Sequence, residues 1–318
     1  MQIGILEPDG FSEIARKRLC GLGPVFDHAG GAIAPFIADK EVLFVRLGHR
    51  IDAAFLAGAP RLQALCSPTT GHNHIDLEEL AKRHIRLVSL QGESEFLQRI
   101  RATPEHTIGL ILALLRNYRT AFLDERNDHW DRDRCRGEEL FGMPIGIIGF
   151  GRVGQRVASY LRAFEAQVSC YDPHVTEVPD WVRRSQTVGD LIAENRVIVL
   201  CAGYVPARPV IVDRECVAAL GGRYFVNIAR GELLDEDALL TSVEKGLLAG
   251  CAVDVIRNET GQNDHARWIA VTKQRNVIVT PHIGGATFPS MAATEEFVTE
   301  KLLGMFAKDG AGVRRISS

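Results

Sequence analysis

The sequence predicts an α/β protein with two doubly wound parallel-sheet domains and a cleft between them. Three observations predict it. Short apolar runs alternate with helical patterns along the whole chain, as in sheets covered on both faces. A length of 318 residues suits two domains. Near the middle, a glycine-rich turn joins an apolar run to an amphipathic helix.

That turn organises the reading. Ile145, Ile147 and Ile148 form a run long enough for a buried strand and too short for a helix. Gly149, Gly151 and Gly154 follow in the spacing G-x-G-x-x-G, with Arg152 and Val153 between them. Val153 to Phe164 reads as a helix with Val153, Val157, Tyr160, Leu161 and Phe164 on one face. A second strand, Gln167 to Tyr171, ends at Asp172. Gly149 permits the tight turn, Gly151 lets backbone approach a pyrophosphate, and Gly154 lets helix and strand pack closely. The helix N-terminus offers N–H groups and partial positive charge to the phosphates. Asp172 can accept both ribose hydroxyls of an adenosine and would repel a 2′-phosphate. The pattern is a Rossmann-like dinucleotide site, and the cofactor it predicts is NAD.

In chain order, Ile3–Leu6 reads as a strand, and Ser12 caps a helix that Gly21 ends. Strands follow at Val42–Leu47, Leu62–Ser67 and Ile85–Leu90, with helices between them, including Asp76–Arg83. The polar loop SPTTGHNHID after Leu62–Ser67 is a candidate substrate wall, because ligands of open α/β sheets bind beyond strand carboxyl ends. Pro104 and Glu105 mark a helix start, and Ile108 to Leu115 is apolar nearly all round. Such a helix must be covered on several sides, as one between two domains would be. Residues 124–142 are charged around Trp130 and read as a loop or as an arm packing on a second subunit. Later strands fall at Arg196–Cys201, Arg223–Ile228, Leu248–Val255 and Asn276–Thr280. Helices fall at Asp213–Leu220, Asp235–Lys245 and Pro289–Lys308, and Ile256–Arg275 reads as one long polar loop.

Composition excludes several classes. A formal net charge of −3 with mixed signs argues against nucleic acid or an anionic membrane as partner. The longest apolar run is far short of a membrane span. The N-terminal apolar run is broken too early, by Glu7 and Pro8, for a signal peptide. Seven scattered cysteines with no C-x-x-C suit buried free thiols in a reducing cytoplasm. His72 and His74 form H-x-H without an obvious further ligand set, so no metal is expected.

Three polar residues stand past three strand ends: Arg230, Glu259 and His282. An Arg can clamp a carboxylate through two parallel hydrogen bonds. A His can exchange a proton with a hydroxyl or carbonyl, and a Glu on its far nitrogen would hold its tautomer. Beside a nicotinamide these three suffice to interconvert a 2-hydroxy acid and a 2-oxo acid. Arg46, at another strand end, could also reach a substrate.

From Pro68 to Thr287 the chain resembles the D-isomer-specific 2-hydroxyacid dehydrogenases. The matching runs are TTGHNHIDL, EHTIGLILALLR, GIIGFGRVG with YDP, FVNIARGELLDEDAL, AGCAVDV and TPHIGGAT. The resemblance implies catalytic roles for Arg230, His282 and Glu259, and substrate-carboxylate donors at the N–H groups of Thr70 and Gly71. It places the cofactor against Gly149, Gly151, Arg152, Val153, Gly154, Asp172, Cys201, Ala202, Ala229 and Asp254. It implies a discontinuous substrate domain, flavodoxin-like, of residues 1–102 plus 288–318 around a nucleotide domain of residues 103–287. With Trp130 it implies a homodimer, held through the nucleotide domain and the arm from about Asp124 to Leu140.

Two positions depart from the family. Thr260 stands where a Pro usually follows the catalytic Glu, leaving Asp254 as the neighbouring acid. CAGYVPARPV replaces a proline- and threonine-rich segment, with Gly203 and Tyr204 on the nicotinamide side. Two other readings stay open: an NAD(H)-sensing corepressor of the same fold, and a formate dehydrogenase, a branch that pairs its His with Gln.

Overall fold

The structure, a computed structural model, describes residues 1–126, 130–205 and 209–314. The chain divides into two compact units, Met1–Ile100 with Ala286–Ser318, and Arg101–Gly285. The chain thus crosses at 100/101 and 285/286, where the sequence suggested 102/103 and 287/288.

The first unit starts with β1 (Ile3–Ile5), α1 (Glu13–Leu19), β2 (Val25–Asp27) and α2 (Ile33–Ile37). It continues with β3 (Val42–Phe44), α3 (Ala53–Ala57), β4 (Ala64–Ser67), α4 (Leu77–Lys82), β5 (Arg86–Ser89) and α5 (Ser94–Leu97). Side-chain caps set the helix starts: Ser12 accepts from Ala15 N–H, Asp52 from Ala54 and Phe55, and Asp76 from Glu79. All strand pairs are parallel and the order is β2-β1-β3-β4-β5, a doubly wound arrangement. Residue alternation divides each strand between two cores. Ile3, Ile5, Val42, Phe44, Ala64 and Cys66 face one, and Leu43, Val45 and Leu65 the other.

The second unit opens with α6 (Ala102–Leu115) and α7 (Tyr118–Arg126), then β6 (Pro144–Ile148), α8 (Arg152–Ala163), β7 (Gln167–Tyr171) and β8 (Val182–Arg184). It proceeds through α9 (Val188–Glu194), β9 (Val197–Leu200), α10 (Arg214–Ala219), β10 (Tyr224–Asn227) and α11 (Glu236–Glu244). It closes with β11 (Gly250–Val253), α12 (His265–Thr272) and β12 (Val277–Val279). Its parallel sheet has the order β12-β11-β10-β9-β6-β7-β8. The strand order reverses between β6 and β9, where a dinucleotide fold has its switch point. The apolar helix α6 buries Ile111, Leu114 and Leu115 in one core with Ile145, Val199 and Val226. The other face packs Ile198, Leu200, Phe225 and Val253 against helices carrying Leu191, Leu239 and Trp268.

Residues 256–275 are not one long loop. Trp268 is 1% exposed and Val271 is buried beside it, so α12 presents an apolar face that polar flanks conceal in the sequence. The chain ends in α13 (Phe288–Arg314), which returns to the first unit and places Val298 and Leu302 in the core of β1, β3 and β4. Among the described residues no helix is long and apolar enough to cross a membrane.

Arg46 joins separate parts of the first unit. Its Nη2 lies 2.5 Å and its Nε 3.1 Å from Oε1 of Glu295 on α13, and its Nη1 donates to the Asp9 carbonyl at 2.9 Å. Glu295 is fully buried and also accepts from Ser12 N–H at 2.7 Å. The guanidinium is therefore committed to joining α13 to the sheet. Burial pushes the Glu295 carboxyl up, while Ser12 and Arg46 oppose it. Arg46→Ala is expected to cost about 3–5 kcal/mol, because it leaves an uncompensated buried carboxylate. A carboxyl raised on folding favours the fold at low pH and loses that contribution as pH rises through its folded value. The deficit should therefore shrink as pH falls toward the ordinary 4.5. Urea unfolding at pH 7 and near pH 4.5 measures both, and an unfolding free energy unchanged at pH 7 would refute the role.

Candidate active site

Arg230, Glu259 and His282 follow β10, β11 and β12, three adjacent strands, so all three lie along one carboxyl edge of the sheet. The turn after β10 is held by Asn227, whose Oδ1 accepts from Ala229 N–H at 3.0 Å and whose Nδ2 donates to the Arg230 carbonyl at 3.2 Å. Ala229 is buried, and Arg230 Nη1 donates to its carbonyl at 2.7 Å. Burial pushes the Arg230 guanidinium down from its ordinary value, and the charges of Glu259, Glu232 and Asp254 oppose that. Gly231 allows the next chain segment to close in. A Cβ there would stand 2.1 Å from Arg257 N, so only glycine fits between Arg230 and the Glu259 loop.

Nδ1 of His282 lies 2.6 Å from Oε2 of Glu259. A carboxylate oxygen only accepts, so Nδ1 carries the hydrogen and Nε2 is the atom left for a substrate. The pair is partly exposed, 20% for His282 and 30% for Glu259. His282 has φ +54, a left-handed conformation uncommon for a side-chain-bearing residue. Its N–H donates to the carbonyls of Asp254 (2.8 Å) and Thr280 (3.0 Å), which holds it there.

Asp254 directly follows β11. It is 2% exposed, and its carboxylate accepts from Ile283 N–H (2.8 Å), Gly284 N–H (2.8 Å) and the Thr280 hydroxyl (2.7 Å). His106 Nε2 of α6 approaches the same carboxylate at 3.3 Å. Burial would raise its pKa, yet these hydrogen bonds prevail and hold it below the usual carboxylate range. Asp254 thus fixes the loop that carries His282.

At the other candidate site, Gly149 has φ +90, and a Cβ on it would meet Ala202 Cα and N at 2.5 Å. The turn therefore needs glycine on both conformational and steric grounds. Gly154 packs on the Gly149 carbonyl, where a Cβ would stand 2.2 Å away. Gly151 differs: a Cβ there meets nothing within 4 Å, and no side chain caps α8, whose first residues are Arg152 and Val153. Asp172 stands beside this turn. Its Oδ2 accepts from Phe150 N–H at 2.8 Å and its Oδ1 from His174 N–H at 2.9 Å. Cys201 and Ala202 follow β9 across the switch point, and burial pushes the Cys201 thiol up to about 12, outside nucleophilic use. The Val205–Arg208 part of the following segment lies largely outside the described residues, since 206–208 are not described.

In the first unit, Thr70 and Gly71 lie in the turn after β4, where the Thr69 hydroxyl bonds to the Gly71 carbonyl (3.1 Å) and to Ser67 Oγ (2.8 Å). Among the described residues no group of His, Cys, Asp or Glu could hold a metal ion. Sequence reasoning placed Asp254 on the cofactor and did not single out Thr280 or His106. TPHIGG and EHTIG contain them, but their convergence on one carboxylate is visible only in three dimensions.

Residues 108–284 match the family described as D-isomer specific 2-hydroxyacid dehydrogenase, NAD binding domain. The chain is 31% identical over 307 residues to D-3-phosphoglycerate dehydrogenase of Methanocaldococcus jannaschii, covering 94% of this chain and 57% of that protein. It is 29% identical over 285 residues to glyoxylate reductase of Pyrococcus furiosus, covering 84% and 80%. The chain thus spans little more than half the length of the phosphoglycerate dehydrogenases that it matches. The fold is that of D-lactate dehydrogenase from Aquifex aeolicus, solved with NAD and lactic acid, with a TM-score of 0.81 at 23% identity over 99% of this chain and 98% of that one. The chain carries the NAD-binding domain of the D-isomer-specific 2-hydroxyacid dehydrogenases and belongs to that family.

Proposed function

We propose that this chain is an NAD-dependent dehydrogenase interconverting a D-2-hydroxy acid and a 2-oxo acid. The observation that carries the reading is the 2.6 Å contact of His282 with Glu259 on the sheet edge that also carries Arg230. A Glu rather than a Gln beside the His favours this chemistry over formate oxidation.

The residues present fit a dinucleotide. The open space over Gly151 and the uncapped start of α8 suit a pyrophosphate, whose charge would complement the helix N-terminus. A carboxylate has about four acceptor positions, and Asp172 spends two of them on Phe150 and His174, leaving two for ribose hydroxyls. When bound, NADH supplies the hydride that reduces a 2-oxo acid. The chain supplies the rest. Arg230 fixes the substrate carboxylate and polarises the adjacent carbonyl. His282, protonated on both nitrogens, gives the Nε2 proton to the carbonyl oxygen as that carbon gains hydride, and keeps Nδ1–H on Glu259. In the reverse direction neutral His282 takes the hydroxyl proton at Nε2.

The assembly we propose is a homodimer held through the second unit. Tyr118, Phe122, Trp130 and Phe141 are 41%, 57%, 96% and 69% exposed along one stretch, where a second copy would cover them. The arm expected from about Asp124 to Leu140 includes residues 127–129, which lie outside the described residues.

Three outcomes follow from these readings. With NADH and a panel of small 2-oxo acids, His282→Ala should lower kcat about 10²–10⁴-fold on any accepted substrate while NADH still binds. A near-wild-type kcat would defeat the mechanism. Gly149→Ala is expected to destabilise the protein, whereas Gly151→Ala should melt near the wild-type temperature yet bind NADH at least about tenfold more weakly, a difference of about 1.4 kcal/mol. Fluorescence titration with thermal melts tests the pair, and wild-type affinity in Gly151→Ala would remove the phosphate assignment. For the dimer, sedimentation at micromolar concentration should give twice the monomer mass, and a monomer alone would refute it.

A further inference from the structure

The loop that carries Glu259 lacks the proline usual in the family after that acid; Thr260 stands in its place. Its shape must come from elsewhere. Both of its ends converge on one buried side chain. Glu236, at the start of α11, is 2% exposed, and one carboxylate oxygen accepts from Arg257 N–H at 2.7 Å. Its other oxygen accepts from Trp268 Nε1 at 2.6 Å. Arg257 begins the loop and Trp268 lies in α12, which ends it, so a single carboxylate clamps the segment from both sides.

Within the loop, Asn263 does the same at shorter range. Its Nδ2 reaches the carbonyls of Asn258 (3.3 Å), Glu259 (3.2 Å) and Gly261 (3.3 Å). Its Oδ1 accepts from His265 N–H at 3.1 Å, tying the turn to the first residue of α12. Asn258 adopts φ +55 and is fastened twice: its N–H donates to Glu232 (3.2 Å) and its Nδ2 to the Gln262 carbonyl (2.7 Å). The Arg257 guanidinium reaches Asp237 at 3.2 Å and Asp264 at 3.7 Å on the outer side.

We propose that Glu236 and Asn263 are positioning residues for the Glu259–His282 pair, holding the Glu259 backbone with side-chain hydrogen bonds in place of a proline ring. The proposal rests on the acid–base assignment given above. Neither side chain touches His282 in the contacts described, so each acts through the loop. Glu236→Gln preserves the volume but offers one good acceptor to two donors, and one amide of the loop loses its partner. Asn263 is exposed, so Asn263→Ala removes the inner brace without touching the core.

The test uses the whole chain and two readouts. The first is ¹⁵N NMR of the histidine rings at a pH where they are neutral, with His282→Asn identifying the His282 signals. The wild type should show His282 as the Nδ1–H tautomer. Glu259→Ala, Glu236→Gln and Asn263→Ala should each populate the Nε2–H tautomer that free imidazoles favour. The second is kcat for glyoxylate and hydroxypyruvate with NADH. It should fall about 10- to 10²-fold in the two positioning variants, the scale of a misplacement of about 1 Å, while NADH affinity stays unchanged. Adding Trp268→Phe to Glu236→Gln removes the second donor and should restore part of the Nδ1–H signal, a rescue that mere loss of stability would not give. If Glu259→Ala alters the tautomer while Glu236→Gln and Asn263→Ala leave it as in the wild type, the positioning role is overturned and the acid–base pair stands. If Glu259→Ala leaves the tautomer unchanged, both are overturned.

Discussion

The Asp254 carboxylate is the interaction on which the candidate site depends. Removing a carboxylate from water costs several kcal/mol, so its burial has to be compensated by good partners. Here there are two backbone N–H groups, a hydroxyl and a histidine ring, all on one side chain at the end of β11. Charge-assisted hydrogen bonds of this kind are worth about 1.5–3 kcal/mol each. Together they outweigh burial and hold the Asp254 carboxyl below the usual carboxylate range. What the arrangement secures is geometry. The N–H groups belong to Ile283 and Gly284, directly after His282, and the carbonyl of Asp254 itself receives the His282 N–H. A left-handed residue at that point costs about 1–3 kcal/mol and persists because its neighbours are fixed on both sides.

The same device recurs at several other loops that leave strand ends. Glu295 takes Ser12 N–H and Arg46, and Glu236 takes Arg257 N–H and Trp268. Glu7 takes the N–H groups of Arg46 and Gly48. The reason lies in the architecture. Both faces of each sheet are buried, so apolar packing fixes strands and helices strongly. The loops at the carboxyl edges have little apolar surface to pack. A carboxylate with several acceptor positions can gather backbone N–H groups from different segments, and so it supplies the precision that packing cannot.

This also explains what was legible in the sequence. Central strands such as Val197–Leu200 and Tyr224–Asn227 announce themselves because alternate residues feed two cores and the run is apolar throughout. Edge strands do not. Val25–Asp27 and Val182–Arg184 have one neighbour and exposed polar ends, and neither stands out from a loop. Helix α12 reads as loop in the sequence because its short apolar run, Trp268 to Val271, lies between long polar flanks. Gly149, Asp172, Arg230 and His282 stand out in the sequence as candidates because their signal is local: a spacing, or a polar residue just past a strand. The partner of Arg46 was invisible because Glu295 lies on a helix at the far end of the chain. The type and position of Asp254 are readable in the sequence, whereas the four groups that converge on its carboxylate are not.

The second sheet divides its work at the point where the strand order reverses. On the β6-β7-β8 side lie the glycine turn and Asp172, and Asp172 itself holds the turn through Phe150 N–H. On the β9-to-β12 side, the strand ends carry Arg230, Glu259 and His282. Gly149 and Ala202 meet across the reversal, so close that any side chain on Gly149 would push β9 and its following residues aside. That contact sets the spacing between the two halves. Parallel strands supply the common direction, and carboxylates supply the local shape. The glycine contact joins the turn after β6 to the residues after β9, so the two halves meet at the switch point with no room for a side chain.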